Sequence, residues 1–82
     1  MASATPIVPD QELDCSDLVS PLPVLQTRKA LEAMQPGQVL KMTSTDLASV
    51  VDIQAWTRRT GHRLLSHEDD GATFVFYIQK AG

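Results

Sequence analysis

The chain has 82 residues, 43% of them apolar and 21% charged, with a net charge of −3 and a single cysteine. That length allows one small domain with one core, and the acidic balance argues against a protein whose binding is driven by phosphate neutralisation. One cysteine excludes an internal disulfide and any site built from several thiolates, and no apolar run approaches the roughly 20 residues that cross a bilayer.

Residues 1–10, "MASATPIVPD", lack the basic start and long apolar segment of a secretory signal. They read as a flexible leader ahead of a single domain at 11–82. In "QELDCS", Leu13 and Cys15 alternate with Glu12 and Asp14, the period of a first strand. Cys15 on that strand reads as a small buried hydrophobe. "DLV" connects to Ser20, a residue type favoured as a helix N-cap, and to Pro21 and Pro23, which a first helical turn accommodates. From Pro21 to about Met34 the spacing puts Val24, Leu25, the stem of Arg28, Leu31 and Met34 on one helical face. Val19 is positioned to staple onto Val24. "QPGQ" stops this helix.

"QVLKMTS" alternates as a second strand, and "STDLASVVDIQAWTRRTG" reads as a second helix. Asp46 is its cap, Leu47, Val50, Val51, Ile53 and Trp56 its apolar side, and Arg58 and Arg59 complement its C-terminal dipole. Partner docking is the lesser role open to the two arginines. "HRLLSHEDD" and "ATFVFYIQK" follow as strands joined at Asp70-Gly71, a hairpin signal. The order β-α-β-α-β-β predicts a two-layer α/β sandwich, with two helices on one face of a four-stranded mixed sheet.

The chemistry concentrates at the first helix start. A group at position 20 is expected to face free N–H donors and the positive end of a dipole, a setting that favours an anion and would activate a thiol. Serine there keeps its proton, and without a nearby base it is a poor nucleophile. His62 and His67 have no third ligand at useful spacing, so no metal or other cofactor is expected.

The stretch "LDCSDLVSPLPVLQTRKALEAMQPGQVLKMTSTD", continued by "TGHRLLS" and "ATFVFYIQK", resembles the TusA-type (SirA-like) sulfur-carrier family. The family's signature is a strand, a short loop and C-P-x-P opening the first helix. Pro21 and Pro23 match its prolines, and Ser20 stands where the family has its sulfur-binding cysteine. The resemblance implies a sulfurtransferase or sulfur carrier, and the lone cysteine suits a reducing, cytoplasmic setting. Such a protein receives a persulfide from a cysteine desulfurase or rhodanese-like donor. It passes the sulfur to an acceptor in tRNA thiolation, molybdenum-cofactor synthesis or sulfur oxidation. It also implies that Asp46 borders the sulfur site. A serine hydroxyl cannot hold a persulfide, which leaves two readings: a Cys-to-Ser replacement that removes the thiol, or a natural, non-catalytic binding module of the same fold. A monomer meeting its partners transiently suits both. RNA binding is a weaker third option, disfavoured by charge.

Overall fold

A computed structural model describes residues 7–82. The expected leader falls outside the described residues for positions 1–6. Asp10 is already tied in: its N–H donates to Val39 O at 2.8 Å, and its carboxylate accepts from Val39 N at 2.7 Å.

The elements are β1 (Gln11–Cys15), α1 (Leu22–Glu32), β2 (Val39–Ser44), α2 (Ala48–Thr60), β3 (Arg63–Asp69) and β4 (Phe74–Gln79). They form a four-stranded sheet in the order β1-β2-β4-β3. β1 and β2 are parallel, with Leu13 opposite Met42 and Cys15 opposite Ser44. β4 is antiparallel to both β2 and β3. The predicted two-layer α/β sandwich is therefore the fold. Parallel pairing of β1 and β2 requires a crossover, and α1 supplies it. Both strands consequently deliver their carboxyl ends to the same end of the sheet, where loops in α/β folds gather functional groups.

Alternation sorts the strand residues as expected. Leu40, Met42, Phe74, Phe76 and Ile78 are buried under the helices, with Leu31, Met34, Ile53 and Trp56 packed onto them. Each such side chain contributes about 1.5–3 kcal/mol by leaving water.

The helix faces differ from the sequence reading. In α1 the buried positions are Pro23, Thr27 and Leu31, while Leu25 and Arg28 are exposed. In α2 they are Ser49, Ile53, Trp56 and Thr57. The Thr57 hydroxyl donates to Ile53 O at 2.9 Å, so a small polar residue can occupy an interior face without an orphaned hydroxyl. Leu47 and Val51 are 71% and 68% exposed, and Val19 is 65% exposed, so the staple onto Val24 does not form. α2 ends as expected at Gly61, whose φ of 85° is the left-handed conformation of a helix C-terminus. His62 lies in the loop before β3 rather than on a strand. The hairpin turn is longer than an Asp-Gly pair. It spans residues 70–73, with Asp70 Oδ1 accepting from Ala72 N at 3.1 Å and Thr73 N at 2.8 Å.

Candidate functional site

The β1–α1 loop leaves the sheet at Cys15 and is drawn over the start of α2. Asp17, at φ 68°, adopts the left-handed conformation that aspartate tolerates, and its N–H donates to Thr45 Oγ1 at 2.8 Å. Three residues on, Ser20 N–H donates to Asp46 Oδ2 at 2.6 Å, and Ser20 Oγ–H donates to Asp52 Oδ2. Both donors of Ser20 are thus held by carboxylates. The residue itself is exposed and stands at the mouth of a cleft of about 230 Å³. Pro21 and Val24 form one wall of the cleft, and Asp52, Trp56 and Arg59 form the other.

Ser20 does not cap α1. Pro21 occupies the cap position, and no side chain bonds the helix start. Ser20 is also not surrounded by free N–H donors. Leu22 N–H donates to Val19 O at 2.9 Å, and the N–H groups of Val24 and Leu25 converge on Pro21 O at 3.1 and 3.2 Å. Pro21 and Pro23 have no N–H to offer. The prolines that fit the first turn also remove its donors, and the turn closes on itself. The dipole and the Arg59 guanidinium in the cleft wall remain to favour an anion, and two carboxylates oppose them. Pro23 is buried and roots α1 in the core, whereas Pro21 is exposed beside Ser20.

Asp46 has two tasks. Its Oδ1 accepts from Ala48 N at 3.1 Å and its backbone carbonyl from Ser49 N at 3.0 Å, so it caps α2 from just outside the helix. Its other carboxylate oxygen reaches Ser20. Arg58 and Arg59 separate. Arg59 lines the Ser20 cleft, while Arg58 lines a second groove with Gln54, Thr57, His62 and Leu64. Trp56 is buried in the core and also forms part of the cleft wall.

Asp52 is the site residue that sequence reasoning misses. A signal exists: Asp52, Trp56 and Arg59 lie at i, i+4 and i+7 on α2, so a carboxylate and a guanidinium flank the tryptophan along one stripe.

Cys15 is fully buried at the end of β1, and its thiol is pushed up in pKa by desolvation and then by the Asp14 charge. The His67 ring stacks on Phe76 at 6.0 Å, and His62 lies 5.2 Å from Trp56. Among the described residues no grouping of three or more His, Cys, Asp and Glu side chains is suited to a metal, and no helix is long and apolar enough to cross a membrane.

This small α/β sandwich, with a polar residue exposed where parallel strands end and a helix begins, has clear relatives. The family model described as "Sulfurtransferase TusA" matches residues 11–80, and the chain belongs to the TusA family. It is 46% identical over 72 residues to a protein named "Sulfur carrier protein TusA" from Allochromatium vinosum, covering 88% of this chain and 95% of that one. It is 38% identical over 71 residues to "Putative sulfur carrier protein YrkI" from Bacillus subtilis, covering 87% and 95%. The crystal structure of a SirA-like protein from Desulfitobacterium hafniense superposes with a TM-score of 0.74 at 23% identity, over 88% of this chain and 99% of that one. That last likeness establishes the shared fold.

Proposed function

We propose that position 20 is the sulfur-bearing position of this sulfur-carrier fold, occupied here by serine, and that the chain in this form meets its sulfur donor and acceptor without taking up sulfur. The carrying observation is the contrast in access: Ser20 is exposed at a cleft mouth, while the only cysteine is sealed in the core. A persulfide needs a sulfur atom that a partner can reach, and a hydroxyl does not provide one. Family membership supports a donor of the cysteine desulfurase or rhodanese-like class. It also supports an acceptor in tRNA thiolation, molybdenum-cofactor synthesis or sulfur oxidation, met by this chain in the cytoplasm.

Exposed apolar side chains flank the site in sequence: Val19 precedes Ser20, Leu47 follows Asp46 and Val51 precedes Asp52. They suit transient docking of a larger partner around position 20. In this reading Pro21 and Pro23 fix the loop, Asp46 and Asp52 hold residue 20, and Arg59 adds the positive charge of the cleft.

The test is mass spectrometry of the chain and its Ser20→Cys form after exposure to a sulfane-sulfur donor. Retained sulfur is expected on the cysteine form alone, released by reductant and mapping to residue 20. The binding-module reading draws support from the same two hydrogen bonds that seat serine so fully. It prevails if the Ser20→Cys form takes up no sulfur while donor or acceptor proteins still bind.

A further inference from the structure

We propose that Asp52 is a positioning residue that keeps the group at position 20 neutral and proton-donating, so that this corner selects against an anion. The inference deepens the assignment of position 20 as the sulfur position and rests on it. The hydroxyl of Ser20 has a single partner, Asp52 Oδ2, and Asp52 has no other side-chain hydrogen-bond partner among the described residues. Its charge is therefore aimed at residue 20. Asp46 is different. Its charge is shared between Ser20 N–H and Ala48 N–H, both backbone donors that never titrate.

None of the other groups described around the site forms an ion pair with Asp52. Arg59 of α2 is the one cation in the cleft wall, and it makes no ion pair within 4.0 Å with either carboxylate among the described residues. From α1 and its cap residue the cleft receives Val24 and Pro21, neither of which titrates, and the first-turn N–H groups are taken by Val19 O and Pro21 O. In the β1–α1 loop the nearest ionisable residue is Asp17, which adds no positive charge. A hydroxyl or a protonated thiol satisfies Asp52 by donating to it. A thiolate in the same place would face a like charge across a hydrogen-bond distance, and like charges so close disfavour ionisation.

The experiment compares Ser20→Cys with Ser20→Cys/Asp52→Asn, following iodoacetamide alkylation of residue 20 across pH by mass spectrometry. The expected result is that Asp52→Asn lowers the apparent thiol pKa by about one unit and speeds alkylation at neutral pH by roughly tenfold. Asp52→Gln serves as the second replacement should the asparagine form fail to fold. An unchanged or raised thiol pKa in the folded double variant overturns the proposal. Sulfur transfer plays no part in this readout. A cysteine at position 20 that takes up no sulfur even in the Asp52→Asn form, yet shows the shifted pH profile, would overturn the sulfur-site assignment and leave the role of Asp52 standing.

Discussion

The two ends of α1 are finished in opposite ways. At its C-terminal end the molecule is stitched shut. Lys80 Nζ reaches across from beyond β4 to donate to Met34 O at 2.5 Å and to Glu32 O at 3.4 Å, while Gly37 N–H donates to Lys80 O at 3.0 Å. A cation thereby satisfies carbonyls that the helix leaves unpaired and complements its negative pole. At the N-terminal end acids do the holding, but the residue they hold remains exposed beside an open cleft. The closed end joins two segments distant in sequence. The open end presents one side chain. The difference separates the part of the fold that secures stability from the part that is available to a partner.

The largest effect expected from this contrast is in thiol reactivity. In a Ser20→Cys chain, the new thiol at position 20 should react with a maleimide roughly a thousandfold faster than Cys15, because Cys15 becomes accessible only when the strand opens. The raised pKa of Cys15 slows it further. Denaturant should equalise the two rates, and comparable rates in the native protein would contradict the burial of Cys15.

Next in size is the staple at the closed end. Lys80→Met keeps the aliphatic stem but removes the ammonium, and should cost about 1–2 kcal/mol of unfolding free energy in a urea titration. If Lys80→Met is neutral, the closed end is not secured by that contact.

A smaller effect at the same end depends on pH. The His62 pKa is lowered, chiefly by desolvation and then by the Lys80 charge, and its Nδ1 accepts from Ala81 N–H at 3.0 Å. The unfolded chain therefore binds the proton more readily than the folded one. The stability conferred by neutral His62 is complete above its ordinary pKa of about 6.5 and declines as pH falls through that value toward the lower folded pKa. His62→Gln should flatten this part of the stability–pH curve, and an undiminished slope would assign it to other groups.

Most of the closed architecture is legible in the sequence. Strand alternation places Phe74, Phe76 and Ile78 inside, and Gly61 marks the end of α2. The open corner is legible only in part. The position of Ser20 and the proximity of Asp46 follow from pattern and resemblance, but the free N–H donors expected at the corner are absent, and two carboxylates hold residue 20 instead. A helix start suggests free N–H donors as a generic feature, and what removes them here is the pairing of Leu22, Val24 and Leu25 within the turn. Asp52 escapes notice because its partner is distant in sequence and apolar periodicity says nothing of its helix's polar stripe. The helix faces mislead for a related reason. Leu47 and Val51 are expected inward as apolar residues, whereas the interior accepts Ser49 and Thr57, small enough to let α2 approach the sheet.

The smallest effect tests the open end on its own terms. Ser20→Ala removes the hydroxyl but leaves the loop tied through the residue 20 N–H to Asp46 and through Asp17 N–H to Thr45. Asp52 would lose its donor, yet it borders an open cleft, and water can replace the lost bond. The change should therefore alter unfolding free energy by less than about 0.5 kcal/mol, within the range of ordinary surface substitutions. A cost of about 2 kcal/mol, that of orphaning a buried polar group, would mean that the Ser20–Asp52 bond is a structural support. A near-neutral result would mean that residue 20 is dispensable to the fold, as a position kept for chemistry or recognition should be.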